Sequence, residues 1–178
     1  PQVATLASSI YEIGYTIAYI GSDDQLADQW INHEEVLKTP FGNILKMTEK
    51  ALANIGVPEP DRQALAEYRI YTQLCMAKHG NPIFQGQHGF EIVNEKLTPK
   101  NGPDTSDQSV RVCWFALERS VAITLVACQS FLQNHVPETA KVPLQREHDS
   151  VGLRCKGLRD LAIKRWGKED PCPGKWKN

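Results

Sequence analysis

The chain is predicted to be all-α: an up-and-down helical bundle of five to six helices with one long loop at about residues 80–106. Three observations predict it. Apolar residues recur at helical spacing through several long stretches, and the 12 Gly and 11 Pro fall mainly between them. The 178 residues are 41% hydrophobic and carry a net charge of −1, which suits one filled core and gives no global pull toward nucleic acid. We expect one helical-bundle domain over 1–166 and a loose basic tail over 167–178.

The first helix runs from Val3 to Ile20, where Leu6, Ile10, Ile13, Ile17 and Ile20 recur at helical spacing. Tyr11, Tyr15, Ala18 and Tyr19 make the rest of its surface nearly apolar as well. A helix apolar all round sits inside a bundle or in a membrane, and this one carries too many Ser, Thr, Tyr and Gly for a span. Its one charge, Glu12, needs a partner, because a bare buried carboxylate is costly.

Ser22 or Asp23 caps a second helix that is expected to reach about Lys38, with Leu26, Trp30, His33 and Leu37 inward and Glu34 at the flank. Thr39 and Pro40 open a third, with Phe41, Ile44, Leu45, Thr48 and Leu52 inward, ending at Gly56. The fourth spans Asp61 to His79. Leu65, Tyr68, Thr72, Cys75, Met76 and His79 share its expected inner face, Arg69 lies at the edge, and Ile70, Leu74 and Ala77 form a second apolar side. Gly80 and Pro82 end it. The loop that follows holds Asn81 and His88 and has strand character near 90–97; loops of this length are usually functional or disordered.

Thr105, Ser106 and Asp107 offer caps for a fifth helix to about Asn134, with Val110, Cys113, Trp114, Leu117, Val121, Leu125, Cys128 and Leu132 expected on its core face. It carries no charge from Ser120 to Leu132, and Glu118 borders the apolar face. The last helix runs from about Leu144 to Trp166, with breaks expected near Gly152 and Gly157. From Lys141 onward there are 10 basic and 5 acidic residues, so a positive end follows an acidic body. It either packs on that body or meets an RNA, a nucleotide or a protein partner. The five cysteines form no Cys-x-x-Cys pair and read as reduced, mostly buried thiols of a cytoplasmic protein.

Glu12, His33 and His79 are the candidate catalytic groups, since their helices should bring them together facing inward. A histidine beside a buried carboxylate titrates near neutral pH and can move a proton. Arg69, Glu34, Asn81, His88 and Glu118 are the candidate substrate-binding neighbours, Arg69 as the contact for a phosphate. A zinc site is the rival chemistry: Cys75 and His79 stand one helical turn apart, and His33 with His88 or Glu12 could complete a tetrahedron. No cofactor is otherwise implied. Nothing resembles a phosphate loop, a Gly-x-Ser-x-Gly elbow or a His-Glu-x-x-His zinc helix.

Ala7-Ser-Ser-Ile-Tyr-Glu12, Trp30-Ile-Asn-His-Glu34 and the stretch from Tyr71 through Cys75 to Lys78-His-Gly-Asn-Pro82 resemble a family of uncharacterised bacterial all-helical proteins. Some of its members look like HEPN-type or abortive-infection bundles. The resemblance covers about residues 1–135, and it implies that Glu12, His33, Glu34 and His79 gather in one place. Two features depart from the pattern: Ser8 stands where the family often has arginine, and no histidine here follows the arginine of the HEPN ribonuclease signature.

Two functions from different classes follow. The first is acid/base chemistry on a phosphoester, RNA or nucleotide, in a prokaryotic phage-defence setting. The second is a non-enzymatic interaction or oligomerisation module in which the same polar groups form a structural network. No membrane partner is expected, and a homo-oligomer is compatible with the pattern.

Overall fold

The computed structural model describes residues 2–34, 41–78, 90–99 and 105–167. Within them lie helices α1 (Gln2–Ile20), α2 (Asp24–Ile31), α3 (Ile44–Asn54), α4 (Pro60–Lys78), α5 (Asp107–His135) and α6 (Glu138–Trp166). An antiparallel hairpin, β1 (Phe90–Val93) with β2 (Lys96–Pro99), falls in the predicted loop. Asn94 and Glu95 turn it with φ of 51° and 64°, the left-handed pair that a two-residue hairpin turn demands. The chain is an all-α helical bundle, as its periodicity indicates.

The fold is built around α1. Ala4, Ala7, Ser8, Tyr11, Gly14, Tyr15 and Ala18 are its buried positions. Small residues along one side let a neighbouring helix approach closely, and that neighbour is α5. Ala4 and Ala7 pack with Val112 and Ala116, Gly14 meets Ile123, and Gly21 lies beside Asn134. Both sets of numbers rise together, so α1 and α5 run side by side in the same direction.

On one side of this pair lies α4, antiparallel to α1. Tyr71 stacks on Tyr11 with ring centroids 4.8 Å apart, and Leu74 joins the cluster of Ala4 and Ala7. Next to it, α3 contributes Met47, Ala51 and Leu52 to a second cluster with Tyr11, Tyr15, Ala18 and Ile123. Asn43 caps the start of α3, and the Asn54 amide donates to the Ala18 and Tyr19 carbonyls at 3.4 and 3.3 Å, tying its end to the end of α1.

Along the far side of α5, α6 runs antiparallel and buries only Cys155. Its seam is polar: Trp114 Nε1 donates to the Leu158 carbonyl at 3.3 Å, His148 Nε2 to the Leu125 carbonyl at 3.0 Å, and Trp166 Nε1 to Asp107 at 2.7 Å. These ties hold the helix unbroken through Gly152 and Gly157, where breaks were expected. The helix also begins earlier, at Glu138, and takes Pro143 into its first turns.

Three expected inner faces, and the all-round burial expected of α1, differ from what is observed. On α1, Leu6, Ile13 and Ile17 point outward at 65, 58 and 45% exposure, because the small residues take the close contact instead. On α5, Val110, Cys113, Leu117 and Cys128 are exposed, while Val112, Ala116, Ile123 and Ser130 are buried. On α4 the buried centre lies at Ala64 and Leu74, over a quarter turn from the expected face, and Leu65 is exposed. The second helix ends at Ile31 with no buried residue, so Trp30 is half exposed and Leu26 covers no core. Leu37, Thr39 and Pro40 lie outside the described residues.

Gly14 shows how tight the central contact is. A Cβ there would stand 2.5 Å from Ile123 Cγ2 and 3.2 Å from the Ile123 carbonyl oxygen, whereas Gly157 has nothing within 4 Å. Alanine is the better helix former by about 1 kcal/mol, so Gly157→Ala is expected to raise the urea midpoint. Gly14→Ala should lower it, by about 1–3 kcal/mol in stability, because overpacking wins at that site. Equal stabilisation by both would contradict the close contact.

Candidate functional site

Of the predicted trio, the structure describes Glu12 and His33; His79, Asn81 and His88 lie outside the described residues. Glu12 faces α4. Its Oε1 accepts from the Tyr71 hydroxyl at 2.8 Å and from Lys78 Nζ at 3.0 Å. The Cys75 side chain lies near the same Tyr71 hydroxyl and near Glu12. Burial pushes the Cys75 thiol and the Tyr71 phenol up from their usual values, which keeps both protonated and the thiol a poor nucleophile at neutral pH. Half-buried His33 follows the end of α2, and Glu34 and Arg69 are exposed. Among the described residues no three His, Cys, Asp or Glu side chains converge as metal ligands.

Glu118 belongs to a second centre. Arg119 grips it through Nε and Nη2, both at 2.6 Å, and reaches Glu67 Oε1 on α4 at 3.4 Å. From α6, Arg159 Nε donates to Glu118 Oε1 at 2.8 Å, and the Cys155 thiol lies against the Glu118 carbonyl. Tyr15 of α1 lies beside Glu67. Two carboxylates and two guanidiniums thus balance, and four helices meet on them. A buried ion pair of this kind is weak evidence for added stability, but losing one partner would strand a charge. Burial raises Glu67 above the ordinary glutamate value, with Arg119 opposing it.

Tyr71, Lys78, Glu67, Arg119 and Arg159 were not singled out from the sequence. Glu67 and Tyr71 stand one helical turn apart on α4, and Glu118 and Arg119 are adjacent charges next to an uncharged run; those were the available signals.

An open cleft of about 650 Å³ lies at the turn between α1 and α2, lined by Tyr19, Gly21, Asp23, Lys50, Asn54 and Asn134 among others. It includes none of the predicted site residues. Its polar groups already serve the fold: Asp23 caps α2, Asn54 binds the end of α1, and Asn134 binds Ser130.

Comparison of the chain with protein-family models, curated proteins and solved structures gave no match. Its surface therefore has to speak for its function.

The most distinctive surface is apolar. Val3, Leu6, Ile13 and Ile17 form an exposed stripe along α1, and Val110, Cys113, Leu117, Thr124, Cys128 and Phe131 form another along α5. Because the helices are parallel and α4 lies on one side of the pair, both stripes turn to the other side and make one face. Neither stripe contains a charge, and Glu12, Glu118 and Arg119 all point elsewhere. A contiguous apolar face of several hundred Å² marks an interaction surface in a water-borne protein. No helix among the described residues is long and apolar enough to cross a membrane.

The Glu67 shift has a consequence that titration can read. In the folded chain this carboxyl holds its proton more tightly than in the unfolded chain. Its contribution to stability is therefore largest below the ordinary value of 4.5, falls as pH rises through its raised folded value, and is level above that. Urea unfolding of the native chain and Glu67→Gln should show a stability difference that shrinks over this window in favour of the variant. A difference that is constant from about pH 4 to pH 8 would contradict the burial of this group.

Proposed function

We propose that this chain is a non-enzymatic helical assembly module that docks onto another protein surface through the uncharged face of α1 and α5. One observation carries the reading: two parallel helices present aliphatic stripes to the same side with no charge between them. The core of a lasting protein interface has this chemistry, apolar and poor in charge. The polar groups support it. Glu12 is engaged by Tyr71 and Lys78, and Glu118 by two arginines, so both carboxylates act as ties between helices.

The test is the size of the assembly in an extract of cells that make the protein. The native chain should migrate well above 20.0 kDa. Ile13→Lys combined with Leu117→Lys should return it to the mass of one chain with helix content unchanged, since both side chains point outward and such surface changes cost little, within about 0.5 kcal/mol. Glu12→Gln, away from the face, should leave the assembly intact. A native chain that migrates as a monomer, or an assembly indifferent to the face variants, would contradict the proposal.

A further inference from the structure

The arrangement of the two stripes specifies the partner. On α5, Leu117 and Thr124 are equally far from a point between Ser120 and Val121. So are Cys113 and Cys128, and so are Val110 and Phe131. On α1, the exposed Leu6 and Ile17 are equally far from a point between Tyr11 and Glu12, and the position that mirrors exposed Ile13 is Ile10, partly buried against the core. The contact of Gly14 with Ile123 sets these two points at the same height. The face therefore has one common midline, and its apolar positions repeat above and below it on both helices.

Resting on the assembly reading above, we propose that the partner is a second copy of this chain, related by a two-fold axis that lies in the face along this midline, at right angles to α1 and α5. An isologous interface requires each contact to occur twice, residue i on j and j on i. About this axis α5 lies antiparallel on the partner's α5, which sets Leu117 against the partner's Thr124, Val110 against the partner's Phe131 and Cys113 against the partner's Cys128. Large side chains meet smaller ones in two of these three pairings, and the third is cysteine on cysteine. On α1, Leu6 meets the partner's Ile17, and Ile13 meets the outer edge of the partner's partly buried Ile10.

Charge and area agree with a self-copy. A face with no charge cannot repel itself, whereas a charged face would need a partner of opposite sign. The stripes extend over roughly 20–30 Å at 1.5 Å per residue, on two helices about 8–10 Å apart. With the width of the helices themselves included, that gives roughly 400–600 Å² per copy, which at its upper end meets the lower bound of a stable interface.

The purified full chain is examined by sedimentation velocity, then treated with diamide. This diazene takes one hydrogen from each of two thiols, becoming the hydrazine as the sulfurs join. The expected species has twice 20.0 kDa, and peptide mass mapping should find Cys113 joined to the partner's Cys128. Cys128→Ser should remove that link while leaving the dimer, and the Ile13→Lys, Leu117→Lys chain should lose both.

A dimer in which Cys113 links only to the partner's Cys113, or in which neither cysteine links, overturns the two-fold arrangement. A pure monomer whose size in extract still depends on the face overturns the second copy alone. A monomer in both settings overturns the assembly reading with it.

Discussion

The approach of α1 to α5 at Gly14 and Ile123 is the constraint on which the other features depend. With no room for a Cβ, the contact is lined by Ala4, Ala7, Gly14 and Ala18 on one helix and Val112, Ala116 and Ile123 on the other. Each helix has a limited circumference. Once small residues take the inner side and α3, α4 and α6 take the flanks, the large aliphatic residues are left on the side that no described helix covers. The exposed stripes are thus the geometric complement of the tight core.

The same constraint orders the charges. Closely packed helices leave little water between them, so ionisable groups at their margins need partners. Glu12 finds Tyr71 and Lys78, while Glu67 and Glu118 find Arg119, Arg159 and Tyr15. These contacts join α1, α4, α5 and α6 and leave the aliphatic face free of charge. Fold and surface then have one logic: polar groups lock the helices together on one side, and apolar groups stand exposed on the other.

The helix-rich bundle, most helix positions, the long segment between the fourth and fifth helices and the need of Glu12 for a partner could all be read from spacing, caps and Gly/Pro placement. Which side of each helix faces inward could not. Periodicity shows that Leu6, Ile10, Ile13 and Ile17 share a face, but it does not say whether that face meets the chain's own core or another surface. Ala and Gly at positions 4, 7, 14 and 18 have low hydrophobicity and still win the core, because close packing rewards smallness. Glu118 was visible as a charge beside an apolar run, yet its partners on α4 and α6 are far away in sequence, and only the fold brings them in. If a second copy covers the outer face, the stripes expected to be buried are buried after all, between chains.

Hydroxyl-radical footprinting of the purified native chain tests this most directly. In the isolated fold Leu6, Ile13 and Leu117 are 65, 58 and 58% exposed, much like Leu153 and Leu161 of α6 at 71 and 59%. A covered face predicts that the first three are oxidised several-fold more slowly than the two on α6. Equal rates across both sets would show the face open to water and contradict its role in assembly.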